Sequence, residues 1–390
     1  RLAAAVREAE ALVETSPEDP EGRLFLGTSQ LFLAELRARQ RHPFAAAREF
    51  RRARGALERA LSLDPAAADA RFGLGTLEVV AGRAPTLARG IASLFGVSGN
   101  SEVGLEHLAV ASRDGKILAL ESAITLLTVH SNRRAPDYSA AERGARDLAA
   151  RSSSLVAIDA AARVLLSVGD PEGAARLLDA ALERLRDAPL ADRSVTATLR
   201  FARARTRLAL FRPDLALEDL RRLAAVPGPL PRSVREDSAA LLRDAAVAGA
   251  RPPWLRDLAS RLGTVVSEDA ATGAAANSFA RALPALDLLG SGAAAEASAR
   301  LSDLAAGAPD DAILAALAGK ASLSAGRVAE ARRWLDRASA SARLPRPWTG
   351  PCLLLAGMAA DLEGDRGTAL ALYRRAAEAP GFASRDAAVA

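Results

Sequence analysis

Cysteine occurs once in this chain, at position 352, so no disulfide can form within it. Cys352 sits in PCLLLAGM at helical spacing from other apolar residues, with no histidine nearby in sequence. It reads as a small buried hydrophobe rather than a catalytic thiol. Histidine occurs three times, at 42, 107 and 130, and no His-x-x-x-His pair with an acidic neighbour exists. A metal site is therefore not expected. No apolar run approaches the length of a membrane span. Aromatic residues make up only 4% of the chain, β-branched runs are rare, and no alternating apolar pattern appears. Strand-built folds are excluded on that ground. Methionine stands only at 358 and the first residue is Arg1. A leader or signal peptide removed ahead of Arg1, or a chain cut there, is the expectation.

Half of the residues are hydrophobic, supplied mainly by alanine and leucine. Both suit helices, because alanine loses no side-chain entropy and leucine loses little. The chain reads as all-α. Its 390 residues exceed one compact core, so several domains or one elongated repeat array are expected. The formal charge is +5, with lysine only at 116 and 320, so the cations are nearly all arginine. Acidic residues are interspersed throughout, 47 of them. A solvated surface of mixed charge is the reading, and nucleic acid is not expected as a partner.

Repeats carry the strongest signal. In ARGALERALSLDP, small Ala53, large Leu57 and small Ala60 share one helix face, and Pro65 follows. The pattern returns as Ala174, Leu178, Ala181; Ala216, Leu220, Leu223; Ala297, Leu301, Leu304; Ala331, Leu335, Ala338; and Ala369, Tyr373, Ala376. Weaker copies fall at Gly104, Leu108, Ala111 and at Ala141, Ala145, Leu148. About twelve residues before each of five first alanines stands a small residue: Ala162, Ala204, Ala285, Gly319 and Gly357. The pairs GD, GR and PD mark the turn between two helices. Over most of its length the chain resembles the tetratricopeptide-repeat family, with its period of about 34 residues. The resemblance implies a right-handed α-solenoid of about nine helix pairs, each too small to bury its own faces.

The period breaks in three places. Between Gly27 and Ala53 the first helix is expected to be lengthened by about four turns. A second insertion lies near 84–103, and a proline-rich zone follows at 226–275. The expected organisation is an N-terminal superhelix over 1–225, with long insertions near 28–52 and 84–103. An irregular junction over 226–275 and C-terminal repeats over 276–390 complete it, giving two superhelical halves. The residues Gly73, Gly75, Gly99, Asn100, Gly104, Leu105 and Leu108 are similar to a narrower group. It comprises fungal inclusion-body-clearance proteins, their animal repeat relatives and many bacterial repeat proteins that carry signal peptides. That family pattern prefers aspartate where Asn100 stands and aromatic residues over 76–80. The resemblance implies a periplasmic or cell-envelope protein if the source is bacterial; a cytoplasmic one is the alternative.

GVSGNSEVG invites a nucleotide reading and fails it. A P-loop needs lysine and a hydroxyl after its last glycine, and Leu105 follows Gly104. A dinucleotide fingerprint needs a preceding strand, and the preceding segment reads as helical. Asn100 or Ser101 is instead expected to cap the next helix. Gly104 is expected to admit a close helix, and Gly96 and Gly99 to end the preceding one in a left-handed turn. No cofactor is expected. Glu121-Ser122 resembles the acid element of lytic transglycosylases, yet the family's glycine-leucine-methionine-glutamine element is absent. Glu121 reads as a surface residue, and no catalytic residue is assigned.

Two surfaces are candidates for binding. In four units the residue after the small first-helix position is expected to line the concave groove: Arg163, Arg205, Lys320 and Met358. The inserted PTLARGIASLFGV places Leu87, Ile91, Leu94 and Phe95 on one apolar face. The expected function is a non-catalytic scaffold or adaptor for a protein or peptide partner, acting in cell-envelope assembly, with homo-oligomerisation left open. A peptidoglycan-acting enzyme or its regulatory subunit is the alternative, and an RNA-binding helical repeat the second.

Overall fold

The computed structural model describes residues 2–83, 99–131, 137–186, 193–231, 234, 241–242, 253–263 and 271–379. Every regular element among them is a helix. Contacts divide the chain into two compact units, 1–144 and 145–390.

The first unit holds α1 (Leu2–Thr15), α2 (Pro20–Arg39), α3 (Pro43–Leu63), α4 (Ala68–Arg83), α5 (Ser101–Asp114) and α6 (Ala119–His130), and α7 (Tyr138–Arg151) crosses the boundary. The second holds α8 (Leu155–Ser167), α9 (Pro171–Arg186), α10 (Arg193–Ala209), α11 (Pro213–Ala224) and α12 (Pro253–Arg261). It continues with α13 (Ala271–Gly290), α14 (Ala294–Ala306), α15 (Ala312–Ser324), α16 (Val328–Ala340), α17 (Arg346–Leu362) and α18 (Arg366–Glu378). Helices α1 to α6, α8 to α12 and α13 to α18 each pack against the next in chain order. Next-but-one contacts join α2 to α4, α4 to α6, α8 to α10, α13 to α15 and α15 to α17. All five of these contacts join first helices of successive pairs, which is the signature of a solenoid stack.

The small-large-small register describes the packing. Leu57, Leu108, Leu178, Leu220, Leu301 and Leu335 are fully buried, as are their flanking alanines. Each large residue needs a facing helix without a side chain in the way. A Cβ on Gly27 would lie 2.6 Å from Leu57, and one on Gly73 2.5 Å from it, so Leu57 is seated between two glycines of α2 and α4. Gly319 faces Leu335 at 2.5 Å, and Gly357 faces the Tyr373 ring.

The turns within pairs share one hydrogen-bond pattern. At Gly169, Gly292, Gly326 and Gly364 the backbone is left-handed. The glycine N–H and the N–H after it return to the last helical carbonyls, as in Asp170 N to Leu165 O and Gly169 N to Leu166 O. This is the Schellman turn, in which glycine carries no steric cost. Arg41 (φ 61°) and Phe211 (φ 59°) occupy the same position in two sister turns.

The structure departs from expectation in three respects. The extra residues after Gly27 lengthen both helices of the pair, to 20 residues in α2 and 21 in α3, because the turn moves to Gln40–His42. Gly99 is not left-handed; a Cβ there would lie 2.5 Å from the Glu78 carbonyl oxygen and against the Gly82 nitrogen, so close approach demands the glycine. The proline-rich zone contributes core rather than separating halves: Leu230, Val234, Leu242, Leu255 and Leu258 are buried with Phe201, Leu220 and Leu223. Arg261 fastens it by donating to the carbonyls of Ala224, Val226 and Gly228 at 2.7, 2.7 and 2.9 Å.

The packing rule predicts opposite outcomes for two glycines of one unit. A Cβ on Gly75 would meet the Gly104 carbonyl at 2.7 Å and Leu108 at 2.9 Å, whereas one on Gly55 meets nothing within 4 Å. Gly75→Ala is expected to destabilise by about 1–3 kcal/mol through overpacking. Gly55→Ala is expected to stabilise by about 0.4–1 kcal/mol through helix propensity and unfolded-state entropy. Guanidinium unfolding of the two variants checks the sign of each.

Candidate partner-binding site

The region around GVSGNSEVG is built for helix contact. Asn100 caps α5, its side chain accepting from the N–H of Glu102 at 2.9 Å and of Val103 at 3.4 Å. Its own N–H donates to Glu78 at 2.6 Å, and Glu78 pairs with Arg54 at 2.9 Å. Gly104 and Gly75 face each other, so α4 and α5 pack backbone to backbone. The turn after α5 is held by Asp69, a buried carboxylate accepting from the N–H groups of Lys116, Ile117 and Leu118 at 3.1, 3.1 and 2.7 Å. Both ends of α5 are thus bonded internally. Leu87, Ile91, Leu94 and Phe95 lie outside the described residues, as does Gly96.

In the second unit, Arg163 and Arg205 line one cleft. Ala162, Arg163 and Leu166 come from α8, Leu178 from α9, and Phe201 and Arg205 from α10. The register explains the convergence. Ala162 and Ala204 are the buried close-contact residues, and the next residue on each first helix turns toward the same side. The cleft's floor is apolar. About 20 Å³ of it is open to water, room for one water molecule but not for a small-molecule ligand. Arg163 is half-exposed and pairs with Asp159, one turn earlier, at 2.6 Å.

The other two groove candidates are used differently. Lys320 donates to the Leu210 carbonyl at 2.8 Å and stands 5.4 Å from the centre of the Phe211 ring. Burial pushes its pKa down to about 8, opposed by Glu172 and assisted by Arg212. Its cation is spent inside the fold, which corrects the expectation that it serves a ligand. Met358 is 42% exposed on α17, one residue after Gly357.

Two internal features escaped the sequence reading. Phe211 leaves the α10–α11 turn and enters the core of the later helices, edge-on to Trp348 at 4.8 Å; Phe279 packs on the same indole at 6.4 Å. Its signal was an aromatic where sister turns carry glycine. The second is a buried charge network on α9, α10 and α11. Asp219, fully buried, accepts from Arg203 Nε and Nη2 at 2.9 and 2.5 Å and from Arg207 at 2.9 Å. Arg203 also donates to Asp179 at 2.8 Å. Burial alone would lower the Arg203 pKa, but the bonds to Asp219 and Asp179 raise it on balance. At Arg207 burial wins and the pKa falls. Asp219 stands between Ala216 and Leu223 on the core stripe of α11, a carboxylate where only a paired one is tolerated.

Glu121 is exposed on α6, and its neighbour Ser122 is buried with its hydroxyl donated to the Leu118 carbonyl at 2.7 Å. His107 and His130 are part-buried, and burial lowers both pKa values. No group able to hold a metal ion occurs among the described residues. Among them, no helix is long and apolar enough to cross a membrane. Cys352 is fully buried, and burial drives its thiol pKa up, as expected of a packing residue.

The helix-pair register, the shared turns and the first-helix contacts together settle the architecture. The fold is an array of tetratricopeptide-type helix pairs. No protein-family model and no curated protein matches the chain. Solved structures do. A tetratricopeptide repeat protein from Parabacteroides merdae aligns at 13% identity over 72% of this chain and 86% of its own, with TM-score 0.27. The TPR domain of P58(IPK) aligns at 14% identity over 100% and 92%, with TM-score 0.27. Yeast Tom70 aligns at 13% identity over 100% and 84%, also with TM-score 0.27. No site or ligand is carried over from them.

Two predictions follow from the buried charges. Asp219→Ala strands two guanidinium groups and is expected to cost about 3–5 kcal/mol in unfolding free energy. Asp219→Asn, which keeps the shape but not the charge, should also destabilise. Lys320 keeps its proton less well folded than unfolded. Between pH 8 and the ordinary lysine pKa, 10.5, the unfolded chain therefore binds more protons, and stability due to this group rises with pH. Thermal melts of the wild type and Lys320→Met at pH 7 and 9.5 test this: the gap between them should shift in favour of the wild type at the higher pH.

Proposed function

We propose that the chain is a non-catalytic scaffold that binds a protein segment of acidic and apolar character along its first helices. One observation carries this reading: Arg163 and Arg205, from successive first helices, stand at a single cleft floored by Leu166, Leu178 and Phe201. Guanidinium groups suit carboxylates, and the apolar floor between them offers contact to a side chain laid over it rather than inserted into it. The cleft is too small to enclose a metabolite, which favours a segment laid across it. The Arg163–Asp159 pair is an exposed pair within one helix, worth little, so it can exchange for a ligand carboxylate. A cell-envelope setting belongs to the same proposal and is supported by the likeness of Gly73–Leu108 to repeat proteins that carry signal peptides.

Fluorescence anisotropy with labelled peptides of graded acidic and apolar content tests it. Acidic-apolar peptides should bind best, and Arg163→Ala and Arg205→Ala should each weaken binding about tenfold, the value of one charge-assisted hydrogen bond. Equal binding of neutral scrambled peptides overturns the reading. Release of soluble muropeptides from peptidoglycan by the purified chain would overturn its non-catalytic part. Binding to RNA that falls steeply with salt and depends on the same two arginines would replace the partner class.

A further inference from the structure

We propose that the tip of the α2–α3 hairpin is a docking surface for an anionic lipid bilayer. Residues 36–44 are exposed without a break, the run that forms the apex of the lengthened pair. From Leu36 to Arg52 the chain carries Arg37, Arg39, Arg41, Arg48, Arg51 and Arg52 against Glu49 alone, a formal +5. That equals the net charge of the entire chain, +5, so every other segment together sums to zero. All six arginines are exposed. On α3, Arg48, Arg51 and Arg52 continue the exposed face that begins with Phe44, by helical spacing.

The apex is ordered. His42 N donates to Arg37 O at 2.9 Å and Arg41 N to Ala38 O at 3.0 Å, closing the same turn that other pairs close with glycine. Arg41 holds the left-handed conformation at φ 61°. A residue with a Cβ and a long side chain is costly there, and strain of this kind persists where the side chain is needed. Phe211, the other such exception, is needed in the core. The Arg41 guanidinium is exposed and makes no hydrogen bond or ion pair among the described residues. Its use lies outside the fold.

Apolar side chains accompany the charge. Phe44 is 60% exposed beside the turn, and Leu36, 37% exposed, opens the exposed run at the end of α2. A phosphate polymer would neutralise the arginines and leave these residues in water. A bilayer interface takes both, with guanidinium groups at headgroup phosphates and rings and aliphatics at the acyl boundary.

Co-sedimentation of the full chain with phosphatidylcholine vesicles, alone or enriched in phosphatidylglycerol, tests the proposal. Binding to the anionic vesicles is expected, weakening with salt. Replacing Arg37, Arg39 and Arg41 together by glutamine should weaken it about fivefold per arginine, or about a hundredfold in all. These side chains are exposed, so circular dichroism should be unchanged. Phe44→Ser should weaken binding without altering its salt dependence. Neutralising the exposed Arg374 and Arg375 should leave it as in the wild type. The proposal is overturned by absent binding at low ionic strength, by equal loss in the Arg374/Arg375 control, or by a preference for poly-uridine over the vesicles.

Discussion

The structure depends on a large side chain of one helix reaching the backbone of another. Leu57, Leu335 and Tyr373 each lie where a Cβ on the opposing glycine would intrude. The contact cannot be relaxed by a small shift, because interiors are packed at crystal-like density. Every other regularity follows from it. The small residue sets how near the first helix comes. That closeness leaves the next side chain on the first helix facing away from its own pair, toward the neighbouring first helix. The groove arises there, and Arg163 and Arg205 occupy it for that reason.

The turns impose a second constraint, and its exceptions are informative. A Schellman turn needs a left-handed residue, and four pairs supply glycine. Arg41 and Phe211 accept the steric cost instead. Phe211 recovers it by packing against Trp348 and by lying under Lys320. One turn thereby joins α10 and α11 to the core of α13 to α17, and Arg212 reinforces the junction by pairing with both Asp214 and Asp287. This is why the proline-rich zone does not part the second unit. Prolines and glycines in a sequence mark where helices stop; they carry no information about which side chain crosses the gap.

That distinction explains what was legible. Alanine and leucine at a fixed spacing fall on one face whatever surrounds the helix, so the helix pairs and their buried stripes could be read directly. Asn100 as a cap and Cys352 as a core residue follow from equally local rules. The partition of insertions was not local. Whether extra residues extend one helix or both depends on where the turn forms, and His42-Pro43, a sequence that starts α3, decided it. Gly99 differs from its expected left-handed role because a glycine needed for left-handed backbone and one needed for close approach look identical in sequence. Gly82, Ala81 and the Glu78 carbonyl, brought against it by α4, tell them apart.

Charge was the least legible property, and the reason is specific. The chain distributes 52 basic and 47 acidic residues along its whole length, which suggests a uniform solvated surface. Folding sorts them. Arg203 and Arg207 are drawn inward by Asp219 and cease to act on solvent. Lys320 is consumed by a carbonyl and a ring. Arg261 is consumed by three carbonyls. A cation's sequence register says which helix face it occupies, but not whether an internal acceptor already waits there. Arg203, Arg205 and Arg207 differ by two positions each on one helix; two are locked to Asp219 and the third lines the cleft. What a helical array offers to a partner is therefore set by where its cations stand as well as by their number: Arg163 and Arg205 line one cleft, and exposed arginines crowd the apex of one long hairpin.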